Sequence, residues 1–459
     1  MIRRLLTGLL IGLLVGAAVR AHAQTTVNPL VTGICPAAHQ LFGGDIFAGP
    51  PSGNVEPSFF LGLKDLGSGA VNLIPECAAG SPTPTFTRAT TAWTKLSTGL
   101  WASVASGTAR SSYLGADTTV GACGGYLAEG ASTNLALQSR DLSNASWTKL
   151  NATGAKDQVG IDGVANSASS LTATAINASA LQTITEAATA SALSMYIKGI
   201  TVTGTVTIQQ GATTSEISAS LNSSTYTRVS LQGTVLNPAI GIVLGTSGDK
   251  IAVDMVQFEN GPFASSPTPT TTVAVMRNAD LLAYPSAGNA NTSAITIYAE
   301  VAYPIAPGNG QQTAVSVNDG SNNNRVELSG STGESTRLFV ASGGVTQASI
   351  IPGPALAANT ITKMATAVTT NYANVFYSGT AATAVTTGTV PTSFTTISIG
   401  NRQASGAEAF GTIRNVCIYP TALSAPYLQN LTTDATNFLG DPMWRYAAND
   451  DYYRKVANQ

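Results

Sequence analysis

Histidine and charge are what this chain of 459 residues has least of. Two histidines occur, His22 and His39. Histidine is the commonest general base and metal ligand near neutral pH, so its scarcity removes most catalytic-triad and zinc schemes. A G-x-S-x-G elbow, an H-E-x-x-H pair and a Walker loop are all missing as well. Charged residues make up 10% of the chain, against roughly 25% in an average soluble domain. The formal net charge is −2, and basic residues sit side by side only at Arg3-Arg4 and Arg454-Lys455. Without a basic stripe there is no counterion release to hold a phosphate backbone, so nucleic acid is not an expected partner.

Cysteine is scarce too. Cys35, Cys77, Cys123 and Cys417 allow three pairings that spacing does not choose between. In an exported chain Cys35 and Cys77 are the favoured pair because they flank one small module, and in a chain assembled in the cytoplasm all four stay thiols. Cys417, inside IRNVCIY, reads as a buried apolar thiol. Long apolar runs are confined to residues 1–23, MIRRLLTGLLIGLLVGAAVRAHA. The basic start, the apolar run Leu5 to Val19 and Ala21-His22-Ala23 read as a secretory leader cleaved before Gln24. An uncleaved apolar helix serving as plug or anchor is the alternative. At about 15 residues the run falls short of the roughly 20 needed to span a bilayer, so no stable membrane span is expected. No fixed-period repeat occurs, which argues against a solenoid or propeller.

Thr, Ser, Asn and Gly dress the chain instead, and they favour strands and turns over helices. Ile200, Val202, Gly204, Val206 and Ile208 share one parity and Thr201, Thr203, Thr205, Thr207 and Gln209 the other, which predicts one long half-buried strand. Similar alternation runs through Leu193 to Ile197, Ile251 to Met255 and Ile295 to Tyr303. Val315 and Val317 lead into Asn318-Asp319-Gly320, the chemistry of a tight hairpin. A helical signal outside the leader is limited to Ser424 to Phe438. The expected fold is all-β: tandem antiparallel β-sandwiches, or jelly rolls, after a small irregular N-terminal module. The expected segments are the leader 1–23, the small module 24–82, a connecting segment 83–134, a first jelly roll 135–280, a second 281–440 and an aromatic tail 441–459.

Sequence assigns no catalytic, cofactor, metal or ligand-binding residue. Asp254 and Glu259 are the closest carboxylates in a strand region; five residues apart on a regular strand they would face opposite ways, which favours an edge or turn role over a glycosidase pair. Asp319 in VNDGSNNN is a conceivable calcium oxygen but reads better as a turn residue. His39 reads as a surface or turn residue. Trp93 and Trp101 could be exposed sugar-stacking faces or core, and Trp147 reads as core. The tail either frays, as termini often do, or uses Trp444, Tyr446, Tyr452 and Tyr453 to clasp a neighbouring chain, the reading favoured here because four large rings are costly to leave in water.

Residues 83–149 resemble a pattern of bacteriophage head-spike and tail-fibre proteins. It is carried by Phe86-Thr87-Arg88-Ala89, Gly121 to Gly125, Glu129-Gly130-Ala131-Ser132-Thr133-Asn134-Leu135 and Leu142-Ser143-Asn144-Ala145-Ser146-Trp147. Residues 257–280, QFENGPFASSPTPTTTVAVMRNAD, are similar to the segment that closes the next jelly roll in those proteins. Ser132 stands where the pattern usually has a basic residue, and Leu142 where it has an aromatic one. Residues 283–433 resemble a laminin-G or concanavalin-A-like jelly roll, on ITIYAEV, TTISIGN and GTIRNVCIYPTALSAPYLQNLT. The resemblance implies a virion structural protein (fibre, spike or decoration), partnered by other virion proteins, homo-oligomeric as a trimer, with outer modules that engage host-surface glycan or simply decorate the shell. The alternatives are a secreted, prophage-derived glycan-binding or adhesion protein, which the leader favours, and a capsule depolymerase. No cofactor is expected.

Overall fold

Hydroxyl-rich alternation becomes antiparallel sheet across the computed structural model, which describes residues 57–433 apart from 63–69, 72, 76, 97, 113–124, 305–310, 332–334, 354 and 404–406. The leader, Cys35, His39, Cys123 and the aromatic tail lie outside the described residues, and Cys77 is described by its backbone alone. The fold is all-β, and two sandwiches contain nearly all of it.

The first sandwich packs two five-stranded sheets face to face. One runs Ala152–Gln158, Ala168–Ala173, Lys250–Asn260, Ala190–Thr201, Thr227–Thr234; the other runs Thr213–Glu216, Val206–Gln210, Ala239–Leu244, Ala178–Thr183, Thr148–Leu150. Inward residues of both, among them Leu171, Leu193, Ile208, Ile242 and Phe258, close over Trp147, whose indole N–H donates to the Gln138 carbonyl at 3.1 Å. Trp147 is 1% exposed.

The alternation from Ile200 to Ile208 is not one strand. It splits into Ala190–Thr201 and Val206–Gln210, which lie in different sheets. Ile200 is 42% exposed while Val206 and Ile208 are fully buried. The cause is Asp249, which is 1% exposed. Its carboxylate accepts from the Thr203 N–H and hydroxyl, both at 2.8 Å, and from the Gly204 N–H at 3.0 Å. The strand ladder is thereby replaced with a turn. Only glycine fits the corner, since a Cβ on Gly204 would lie 2.0 Å from Thr246 Oγ1.

A second departure sits in Lys250–Asn260. Met255 takes a left-handed conformation at φ 49°, and the pairing with Ala190–Thr201 shifts register between Ser194 and Tyr196. This bulge inserts one residue. Ile251 and Val253 before it and Val256 and Phe258 after it all face the core. Asp254 and Glu259 therefore share the outer face, which corrects the opposite-face expectation drawn from regular alternation.

The second sandwich is larger. One sheet runs Cys77–Ala78, Phe59–Leu61, Gly411–Tyr419, Ala294–Ala302, Thr362–Thr369, Tyr372–Tyr377, Thr380–Ala381, with Gly125–Ala128 and Ser111–Ser112 added beside Gly411–Tyr419. The facing sheet runs Val345–Ile350, Thr336–Ser342, Arg325–Gly330, Gln312–Asn318, Thr396–Ile399, Leu281–Pro285, Thr85–Thr87. Strands from the stretch read as a small module and connecting segment are thus built into this sandwich, with Phe59 and Leu61 in its core. The helix Ala425–Thr432 begins with proline in its first turn, as expected of a pre-set φ. It buries Tyr427, Leu428 and Leu431 on the layer that holds Tyr298, Phe376 and Cys417.

The first sandwich is therefore an insertion in the second. Thr85–Thr87 pairs with Leu281–Pro285, and Ser132–Asn134 with Val275–Arg277, so the chain enters and leaves through one neck. That neck is a buried ionic junction. Arg88 Nη1 lies 2.7 Å from Asp280 Oδ1, and Arg110 Nη2 lies 2.8 Å from Glu129 Oε2 and also meets Asp280 Oδ2. Arg277 stands 3.6 Å from both carboxylates. Ser266 donates its hydroxyl to Glu129 at 2.6 Å and its N–H at 2.8 Å. The three arginine side chains and Asp280 are 0% exposed. Beside them Asn134 satisfies all its amide valences: Nδ2 donates to the Val256 and Thr268 carbonyls, and Oδ1 accepts from the Ala136 and Phe258 N–H groups.

Burial alone would raise the Glu129 carboxyl, but Arg277, Arg110 and the Ser266 hydroxyl override it and hold it at about 2, below the ordinary 4.5. A depressed acid stabilises the fold above its unfolded value and loses that contribution as pH falls toward the folded one. Stability is accordingly expected to fall between pH 4.5 and 2, by roughly 3 kcal/mol from this carboxylate alone. Chemical denaturation across that window measures it, and Glu129→Gln is expected to start lower at pH 7 and to respond less to acid. Asp249→Ala, which removes the acceptor of the Thr203 and Gly204 N–H groups at a partly exposed turn, is expected to cost about 1–2 kcal/mol in the same assay.

Candidate functional site

From the neck the run Glu129-Gly130-Ala131-Ser132 leads outward to a cleft of about 180 Å³ between the two sandwiches. The first sandwich supplies Glu259 to Phe263, the end of Lys250–Asn260 and the turn after it. The second supplies Gln311 and Gln312, at the start of Gln312–Asn318, and Ala407, Glu408 and Phe410, which lead into Gly411–Tyr419. Phe263 and Phe410 meet edge to face, with ring centroids 4.6 Å apart and planes at 76°. Both rings are half-buried. Phe410 lies against the backbone of Gly130, where a Cβ would be 2.7 Å from the ring.

The polar groups of the cleft differ in how far they are engaged. Glu259, 1% exposed, accepts from Gln257 Nε2, the Ser265 N–H and the Ser265 hydroxyl, each at 2.7 Å, and from the Ser132 hydroxyl. Ser132, where the phage pattern usually has a basic residue, thus meets this carboxylate as a neutral donor. Gln311 is clamped, donating to Glu327 and accepting from Arg402. Gln312 is 5% exposed and its Oε1 has no hydrogen-bond partner. A buried acceptor in that condition is costly unless something else donates to it.

The other carboxylates and rings weighed from sequence lie elsewhere. Asp254 takes a two-pronged contact from Arg140 at 2.8 and 3.0 Å and N–H bonds from Ile161 and Met255. Burial still pushes its carboxyl up despite Arg140. Arg140 also reaches Asp162 at 2.8 Å and sits over Trp93, 5.7 Å from the ring. Trp93 and Trp101, on the hairpin Ala92–Lys95 and Trp101–Val104, are half-buried against Ile161, Tyr196 and Met255 and form a packing contact on the first sandwich.

Asp319 does not close the tight hairpin expected of its neighbours. Residues 319–324 form a longer loop, and the carboxylate accepts from the Ser321 N–H and hydroxyl and from Asn324 Nδ2 at 2.9, 2.6 and 2.8 Å. Among the described residues no group of three His, Cys, Asp or Glu is placed to hold a metal, and no helix is long and apolar enough to cross a membrane.

Sequence reasoning had Phe263 in a quoted motif without a role and did not find Gln312, Glu408 or Phe410. No local pattern marks those three; they meet Phe263 only because two sandwiches converge.

Of the comparisons with known proteins, the family match falls on the second sandwich. No curated protein matches the chain. Solved structures similar to parts of it include the CBM40 of a Ruminococcus gnavus IT-sialidase bound to α2,3-sialyllactose, at 16% identity and TM-score 0.28, over 31% of this chain and 84% of that one. Domain 4 of a Geobacillus stearothermophilus GH43 extracellular arabinanase in complex with arabinotriose is similar at 12% identity and TM-score 0.28, over 38% and 84%. A Trypanosoma rangeli sialidase is similar at 11% and 0.28, over 36% of this chain and 26% of its own. Residues 277–429 match the family model described as the concanavalin A-like lectin/glucanases superfamily, of laminin-G type, and the strands there form a jelly roll of that kind.

Proposed function

We propose that this chain is a non-catalytic structural and binding protein of a bacteriophage particle, a fibre, spike or decoration, whose sandwiches face outward and engage host-surface glycan. The observation that supports it most is spatial. The residues that carry the resemblance to spike and fibre proteins, Arg88, Glu129, Asn134, Ser266, Arg277 and Asp280, come together in the neck that locks a lectin-type jelly roll to a second sandwich.

Such a lock suits a rigid, outward-facing rod. The carboxylates at hand suit binding over turnover: Glu129 and Asp254 are held by guanidinium groups and Glu259 by four donors. A glycosidase needs one carboxyl to give a proton and one carboxylate to attack or activate water. The superfamily matched over residues 277–429 includes lectins as well as glucanases, and the reading takes the lectin side.

The expected outcome is that the protein co-sediments with purified particles and binds host surface polysaccharide without releasing oligosaccharide. Recovery only from virion-free supernatant would favour a secreted, prophage-derived adhesion protein. Released oligosaccharide, read by mass spectrometry, would make it a depolymerase instead.

A further inference from the structure

We infer that the cleft between the two sandwiches is a glycan site selective for a neutral sugar ring; this rests on the glycan-binding reading above and gives it a location and a substrate class. Three independent features converge there. The cleft holds about 180 Å³, below the roughly 300 Å³ at which drug-sized pockets begin, so it takes one ring and not a stretch of chain. The half-buried Phe263 and Phe410 rings line it. An aromatic face takes sugar C–H groups, while hydroxyls at the ring edge are left for polar partners.

The polar partners decide the class. Gln312 lines the cleft, and its Oε1 is buried behind the wall with no donor of its own; turned toward the cleft, that amide offers an acceptor to a sugar hydroxyl. Among the described lining residues the titratable groups are Glu259 and Glu408, with no lysine or arginine; the Arg402 guanidinium that reaches the lining residue Gln311 is engaged by it and by Glu327. The amide oxygen suits a hydroxyl donor, and the two carboxylates disfavour a further carboxylate on the ligand. A uronic or sialic acid therefore meets like charge in a small, partly desolvated space, whereas its neutral counterpart does not.

Matched sugars test this on the full chain. Glucose and galactose are titrated against glucuronate and galacturonate, which differ from them by the carboxylate, with mannose and N-acetylglucosamine as further neutral probes. At least one neutral sugar is expected to bind about tenfold or more tighter than the acids. Ala131→Trp, a substitution at an exposed residue of the cleft rim, is expected to abolish binding, and Gln312→Met, of similar length and without the amide, to weaken it several-fold. Glu408→Gln is expected to narrow the neutral-over-acidic ratio several-fold, a change that a purely structural role would not produce. Melting curves of the three variants confirm that they fold.

If the protein binds sugars and all three folded variants bind as the parent does, the cleft is not the site, while the glycan-binding reading stands. Preference for the acidic member of a pair overturns the selectivity. Failure to bind any neutral probe overturns the proposal, and only failure against host polysaccharide as well brings down the broader reading.

Discussion

The structure depends on a junction of buried charge at the point where one sandwich is inserted into another. A domain that enters and leaves through a single neck could pivot there, because two short antiparallel strand pairs leave its orientation weakly specified. Three guanidinium groups and two carboxylates remove that freedom. Each arginine has directional donors, and only one placement of Asp280 lets it meet Arg88 with one oxygen and Arg110 with the other. Apolar packing of equal area would tolerate sliding, whereas breaking a buried pair by removing one partner costs about 3–5 kcal/mol. The chain is sparing with charge, 22 basic and 24 acidic residues in all, and it concentrates part of that charge where it fixes an angle.

The cleft follows from that angle. Beside the neck the two sandwiches meet again through the edge-to-face contact of Phe263 with Phe410, and both rings line the cleft between them. The short run from Glu129 to Ser132 links the two features: Glu129 belongs to the ionic lock, Gly130 gives the Phe410 ring its seat, and Ala131 and Ser132 form the wall. Rigid placement matters to a small binding site, since misplacing its walls by an ångström forfeits both the ring contact and the hydrogen bonds.

How much of this could be read from sequence divides along physical lines. Strand-forming character and sandwich class were legible because period-two alternation and hydroxyl-rich composition are local properties. The same alternation failed where a distant side chain intervened. Nothing between residues 200 and 208 announces that Asp249 will capture the Thr203 and Gly204 amides and turn the chain between sheets. Likewise Met255, an unbranched residue poorly suited to positive φ, gives no sign of a bulge. That one inserted residue brings Asp254 and Glu259 to the same face, where counting by twos put them apart.

The motif positions teach a related lesson. Arg88, Glu129, Asn134, Arg277 and Asp280 were legible as a pattern, but the pattern is a neck: residues nearly two hundred positions apart keep company because the chain must close an insertion there. The cleft was less legible still, since Gln312 opens one strand and Phe410 precedes another, and both acquire meaning only opposite Phe263. This ordering has a physical reason. A junction needs several charged and amide groups in fixed register, which leaves a mark in sequence, whereas a shallow sugar site needs a ring, an amide and an acid, each individually commonplace. What makes those groups a site is the geometry imposed from the neck, so the legible part of the sequence is the part that builds the illegible one.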